Sequence, residues 1–194
     1  DPIGTHLAGL DAEHGAITVR HLLTQTSGLR FAWANDLNAA GTGDSAALVL
    51  QRPFEAAPGT QFVYAQTTVT ALIAVVEAAV GEDFQSFAAR ELFRPIGIPD
   101  GEWAWQRDMV GRTQGFAFLD MSPRSFGRIG SLMLEQGSWR GQELIAPSYF
   151  AEGRAGTAAN PGYGFLWMTN RGEHYLDTGP GLQRFEHRWM RPLP

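Results

Sequence analysis

The chain has 194 residues, 44% of them hydrophobic and 18% charged, which suits one packed domain or slightly more and excludes disordered, collagen-like or coiled-coil classes. A net charge of -5 without any basic run argues against nucleic acid or an anionic membrane surface as partner. There is no Cys, hence no disulfide, thiolate nucleophile or Cys-ligated metal, and no Lys, so all fifteen Lys-plus-Arg positions are Arg.

In chain order, Thr18 is placed to cap a short helix with Val19, Leu22 and Leu23 at helical spacing, ending before Ser27-Gly28. A polar loop over 30–44 precedes a short helix from Ser45 to Gln51, stopped by Pro53. After a turn at Pro58-Gly59, an extended stretch from Gln61 to Tyr64 enters a long helix. Its Val69, Leu72, Ile73, Val76 and Val80 share one face, and Gly81 ends it. Asp83 then caps a second amphipathic helix carrying Phe84, Phe87, Ala88, Glu91 and Leu92, closed at Pro95-Ile96-Gly97.

Ser122 with Pro123 starts another helix, with Phe126, Ile129, Leu132 and Met133 expected to face inward and Gly137 terminating. Trp139-Arg140-Gly141-Gln142 has the composition of a turn, and Pro147 opens a last short helix. Strand-like segments follow at Tyr163 to Thr169, His174 to Thr178 and Leu182 to Arg188, separated by turn-forming residues. Helices first and strands last predict an α+β fold, divided into a mainly helical region over 1–160 and antiparallel strands over 161–194. Three strands leave at least one open edge, through which self-association is expected. The longest apolar stretch, Val69 to Val80, is too short to span a bilayer.

The common site motifs are absent. There is no His-Glu-x-x-His, and the five His are scattered without ligand spacing, so no metal or other cofactor is expected. A phosphate loop needs a Lys the chain lacks, no dinucleotide-binding Gly pattern occurs, and none of the serines sits in Gly-x-Ser-x-Gly.

The stretch from Ile17 to Leu29, Ile-Thr-Val-Arg-His-Leu-Leu-Thr-Gln-Thr-Ser-Gly-Leu, resembles the "ITIRHLLTHTSGL" block of class C-type serine beta-lactamases and their relatives, among them D,D-peptidases, carboxylesterases and 6-aminohexanoate-dimer hydrolases. Three more blocks agree in order: Pro58 to Tyr64, Met121 to Leu134 and Gly162 to Trp167. The resemblance implies a beta-lactamase/transpeptidase-like fold, a helical region beside an antiparallel sheet, and ester or amide hydrolysis through an acyl-enzyme. Relatives build that site from Ser-x-x-Lys, Tyr-x-Asn and a strand motif of the Lys-Thr-Gly or His-x-Gly type.

Tyr-x-Asn maps onto Tyr64-Ala65-Gln66, which implies a catalytic position for Tyr64 and a substrate contact for Gln66 through a side chain one methylene longer than Asn. The strand motif maps onto Asp177-Thr178-Gly179, a carboxylate where relatives carry a cation or His. An Asp there repels anionic substrates, so a small neutral ester or amide is the expected substrate. Ser-x-x-Lys has no counterpart. Ser27 to Arg30 and Ser125 to Arg128 are Ser-x-x-Arg, and a guanidinium does not deprotonate to act as a base. The family places its nucleophile upstream of the segment that resembles Asp1-Pro2-Ile3. The expectation is therefore a piece of a serine hydrolase, incomplete at both ends and inactive alone.

Each candidate has a plainer alternative. Tyr64 can be a packing residue, Gln66 a cap for the following helix, and Asp177-Thr178-Gly179-Pro180-Gly181 a hairpin turn. His21 is expected to pack or hydrogen-bond within its helix and Arg20 to pair a nearby carboxylate. Trp103, Trp105, Phe116, Phe118 and Trp167 can line an acyl pocket or fill the core. The rival function is a non-catalytic binding or scaffold protein that retains the cleft, and a weaker one has Ser27 acting with a different base.

Overall fold

The computed structural model describes residues 1–32, 36, 42–169 and 174–176, and the backbone of 184–186. Described helices are α1 (Ala12–Gly15), α2 (Val19–Leu23), α3 (Ser45–Leu50), α4 (Thr68–Val80), α5 (Phe84–Ala88), α6 (Pro123–Leu134) and α7 (Pro147–Gly153). Strands pair antiparallel in twos: β1 (Trp103–Trp105) with β2 (Leu119–Met121), β3 (Ser138–Trp139) with β4 (Gln142–Glu143), and β5 (His174–Leu176) with β6 (Arg184–Glu186). The architecture is α+β, and two of its strand pairs arise inside the mainly helical part of the chain.

Caps define the helix starts. Thr18 Oγ1 accepts from His21 N at 3.1 Å, while His21 Nδ1 accepts from Thr18 N at 3.2 Å, a reciprocal capping box. Asp83 and Ser122 cap α5 and α6 through Ser86 N and Ser125 N. Gly81, at φ 72°, ends α4 in the left-handed conformation that Gly adopts without strain. Helix α5 stops earlier than its apolar pattern suggests, because Ala89–Phe93 widens into a π turn in which Arg94 N bonds Ala89 O.

Two cores organise the fold. Ile3, Ile17, Leu22, Leu29, Val49, Leu50, Leu72 and Val75 pack α2 and α3 around α4. Ala88, Phe93, Ile96, Ile98 and Leu132 form a second core, flanked by Trp103, Trp105 and Trp139. The buried surface of α4 is broader than the single stripe expected: Thr68 and Thr70 through Val75 are buried, while Val80 lies outside. A helix packed on several sides needs no polar face until its last turn.

Two further expectations change, and one strand pair is new. Phe126 is 67% exposed, because α6 turns Ser125 inward to donate to Glu102 Oε2 at 2.5 Å, which carries the next residue outward. The stretch from Tyr163 to Thr169 is a tight fold-back rather than a strand. Tyr163 bridges Met168, Gly164 N bonds Trp167 O at 2.8 Å, and Leu166 takes a positive φ of 60°. The strand pair β1–β2 joins segments that the sequence pattern did not single out, in the register Trp103 to Met121. As expected, Arg140-Gly141 forms a turn, both residues at positive φ between β3 and β4.

Candidate functional site

The site is built on the segment that follows α2. Gln25 holds a left-handed φ of 58°, an unfavourable conformation for a residue with a side chain, and it is 2% exposed. Four contacts hold it there. Its N–H bonds Leu22 O at 3.2 Å, its carbonyl accepts from Val63 N at 2.9 Å, and its side-chain Oε1 accepts from Ala65 N at 2.9 Å and Thr68 Oγ1 at 3.1 Å. The next residue pairs across the same gap, with Gly59 N on Thr26 O at 2.8 Å. Gly28 lets the partner strand approach, since a Cβ there would sit 2.2 Å from Ala56 O. Gln25 thus holds the backbone at Val63 and Ala65, on either side of Tyr64.

Tyr64, Gln66 and Gln25 line one half-enclosed cavity of about 190 Å³ with Phe116, Tyr163 and Leu166, and Val69 and Gly115 lie at its wall. Among the described residues, no charged side chain lines it. Gly115 allows the wall to close on α4, as a Cβ at that position would meet Ile73 Cγ1 at 2.6 Å. The rings of Tyr64 and Tyr163 meet edge to face at 6.0 Å, and Tyr163 also packs on Phe62 at 5.0 Å. Burial, with Tyr64 adding to it, pushes the Tyr163 phenol far above its ordinary range, so Tyr163 stays neutral.

Two side-chain atoms of its lining residues, Gln25 Nε2 and Gln66 Oε1, are buried without a hydrogen-bond partner among the described residues. Thr67 is the N-cap of α4, and Gln66 Oε1, which accepts no hydrogen bond, caps no N–H of that helix. The fold-back carrying Tyr163 and Leu166 is tied to α2, with Leu166 N donating to Leu23 O at 2.9 Å. Asn160, 1% exposed, accepts from Gly162 N and Leu176 N, both at 3.1 Å, and donates to Leu176 O at 3.3 Å. It thereby pins the end of β5 beside the fold-back, and Gly162 makes room, because a Cβ there would lie 2.2 Å from Tyr175 Cβ. Asp177, Thr178 and Gly179 follow Leu176 in the chain and lie outside the described residues.

The family model for beta-lactamase matches residues 1–182. The chain belongs to the beta-lactamase family. No curated protein matches this family member significantly. Solved structures share its fold. A protein described as a 6-aminohexanoate-dimer hydrolase from Bacillus anthracis superposes with a TM-score of 0.74 at 16% identity, covering 96% of this chain and 60% of that one. The octameric penicillin-binding protein homologue from Pyrococcus abyssi gives 0.64 at 16%, covering 86% and 46%. EstCE1, a hydrolase with promiscuous acyltransferase activity, gives 0.62 at 19%, covering 86% and 61%. This beta-lactamase-family chain therefore spans less than two thirds of the length of each of these three.

Within the family fold, the other candidates separate clearly. Of the five aromatics, Phe116 lines the cavity, Trp103 and Trp105 pack against the second core, and Phe118 and Trp167 are about half exposed. His21 is part of its own capping box, and burial lowers its pKa. Arg20 pairs Glu152 at 2.5 Å and lies over the Phe165 ring. Ser27 is buried, its Oγ accepting from Leu29 N at 3.4 Å, and Ser125 donates to Glu102; both are held by structural bonds.

A larger cavity of about 470 Å³ lies between Leu7, Leu10, His14, Leu50, Asp44 and Arg112. Its charges are already matched, Arg112 with Asp44 and Glu77, His14 with Asp11 and Arg52 O. Sequence reasoning missed Gln25 and Tyr163 as cavity residues. Gln25 stands where the family block quoted above has His; the other difference, Val19 for Ile, is conservative, so Gln25 is the position that the comparison singles out. No group of His, Cys, Asp and Glu suited to a metal occurs among the described residues.

Proposed function

We propose that this chain carries the tyrosine side of an acyl-transfer site, serving hydrolysis of a small neutral ester or amide through an acyl-enzyme whose Ser-x-x-Lys lies outside the 194 residues. The observation that carries the reading is that Tyr64 and Gln66, from the Tyr-x-Asn block, line one cavity together with Gln25, Phe116 and Tyr163. In this mechanism the Tyr64 phenol moves the proton between the attacking hydroxyl and the leaving group, and Gln66 holds the substrate. Among the described residues the lining offers a carboxylate no partner, which supports a neutral substrate. Asp177, Thr178 and Gly179 are proposed to flank the acyl group from the strand side, with Asp177 repelling anions.

Without any Lys the chain holds no amine base for a serine, so it does not turn over substrate alone. Purified chain incubated with nitrocefin and p-nitrophenyl acetate tests this: the rate stays at the buffer background. Turnover that a serine-directed phosphonate blocks would overturn the proposal.

A second reading, a non-catalytic binding protein, draws on the same cavity, which Gln25, Tyr64, Phe116 and Tyr163 line. It requires a monomer that unfolds cooperatively. Size-exclusion chromatography with thermal unfolding separates the two, because a piece needing completion exposes apolar surface and associates.

A further inference from the structure

His14 lies in an arrangement that only its charged form satisfies. Its Nδ1 is 3.0 and 2.9 Å from the two carboxylate oxygens of Asp11, and its Nε2 is 3.0 Å from the carbonyl oxygen of Arg52. Both neighbours can only accept, whereas a neutral imidazole carries a proton on one nitrogen and a lone pair on the other. A neutral ring therefore turns a lone pair on one of these oxygens, and the imidazolium donates to both. The Phe54 ring lies beside it at 4.7 Å between centroids, within the range at which an aromatic ring attracts a cation. The side chain is only 15% exposed, so water is poorly placed to replace a lost partner.

These contacts join parts of the chain that are far apart in sequence. The N-terminal segment gives Leu7, Leu10 and His14 to the lining of the cavity of about 470 Å³, while α3 and its end give Ala46, Ala47, Leu50 and Gln51. The bond from His14 to Arg52 O, one residue past Gln51, fastens α1 to the end of α3. Asp11 also accepts from His14 N at 2.8 Å as the cap of α1, and the His14 N–H and ring hold its carboxyl below the ordinary range, so it is an anion wherever His14 titrates. Glu13 adds a second negative charge from the same element. Across the cavity Arg112 pairs Asp44 and Glu77, and the Arg52 guanidinium pairs Asp36, so each arginine is matched by a carboxylate.

We propose that His14 is a proton-operated clasp: charged, it fastens the N-terminal segment to the chain after α3, and on losing its proton it keeps one of its two bonds and loosens that end of the cavity. The Arg52 carbonyl first, with Asp11 and Glu13 adding to it against the effect of burial, raises the His14 pKa above its ordinary 6.5. A group that binds its proton more tightly in the folded chain stabilises the fold fully below its unfolded pKa, 6.5, and loses that contribution as pH rises through the raised folded value. The clasp touches no residue of the Tyr64 cavity and stands apart from the acyl-transfer reading.

Two measurements on the full chain test it. Proton NMR follows the His14 ring signal, assigned through its bonded backbone, from about pH 5 to about pH 9. The midpoint lies above 6.5, and Asp11→Asn, which still caps α1, moves it down. Urea midpoints of the unmodified chain and His14→Gln are then compared at about pH 5.5 and about pH 9. The lead of the unmodified chain falls by about half or more between them, since neutral His14 keeps one bond of two, and the remaining His residues are common to both chains and cancel in the difference.

A midpoint at or below 6.5 overturns the charged arrangement. No lead at about pH 5.5, or one that does not shrink by about pH 9, overturns the clasp. Where His14→Gln does not fold, Asp11→Asn still decides: a His14 midpoint that it leaves unmoved refutes the contact.

Discussion

Replacing Gln25 with Met separates what its side chain does for the fold from its bulk. Met fills similar volume, so little cavity forms, but both hydrogen bonds to Oε1 disappear. Thr68 Oγ1 retains a second acceptor in Ala65 O, so its loss is small. Ala65 N has Oε1 as its acceptor, and Ala65 is 6% exposed, so its N–H is stranded away from water. A stranded buried donor costs about 1–3 kcal/mol. Removing Nε2, itself unpartnered, returns roughly 1 kcal/mol of that, because one buried unsatisfied group goes with it. Taking the middle of that cost, about 2 kcal/mol, less this return, the net expectation is a loss of about 1 kcal/mol. Urea unfolding at pH 7, read by Trp fluorescence, measures it as a lower midpoint at unchanged slope. A change below about 0.5 kcal/mol would refute the view that this side chain holds the Tyr64 turn in place.

Three further outcomes follow from the same geometry. Arg107 beside Asp83, with Ser86 N and Oγ adding to it, holds the Asp83 carboxyl down from 3.8 to about 2, so this contribution is complete above pH ~4 and is lost as pH falls through about 2. At about 1.36 kcal/mol per pKa unit that is nominally about 2.4 kcal/mol, and screening of a side chain 36% exposed lowers it to about 1 kcal/mol. Asp83→Asn, which still caps the helix, therefore costs about 1 kcal/mol at pH 7 and almost nothing near pH 2; an equal loss at both pH values by urea titration would contradict this. Gly137→Ala costs about 2–3 kcal/mol in the same assay, because Gly137 sits at φ 91° and its Cβ would lie 2.1 Å from Ile145 O. Phe126→Ser changes stability by less than about 0.5 kcal/mol, the ring being largely exposed, and a larger loss would place it in a core.

What was legible in the sequence was mostly local. Thr18, Asp83 and Ser122 declare helix starts because a short polar side chain satisfies the first free N–H groups from within four residues, and Gly81 declares an end for its own φ. The resemblance of ordered blocks added Tyr64 and Gln66, which do meet in one cavity. What escaped was set by distance along the chain. Gln25 reaches Ala65 across forty residues, and no periodicity announces that contact. Strands β1 and β2 are three residues each, too short for alternation to register. The aromatic run from Tyr163 looks like a strand, yet Gly164 and a left-handed Leu166 fold it back, so composition favoured one conformation and tertiary packing chose another. Phe126 failed as a core residue because Ser125 had a partner in Glu102, an interaction invisible to hydrophobic spacing.

The central claim is that Tyr64 serves proton transfer at an acyl-transfer site completed by a Ser-x-x-Lys from outside these residues. The most direct measurement joins the chain to the residues encoded immediately upstream of Asp1 and follows p-nitrophenyl ester and anilide hydrolysis, with and without Tyr64→Phe. Hydrolysis appears in the joined protein, and Tyr64→Phe lowers kcat by about 10²–10⁴, the usual contribution of a general acid–base group. A joined protein that does not hydrolyse either substrate, or one whose kcat changes less than about twofold on Tyr64→Phe, contradicts the account.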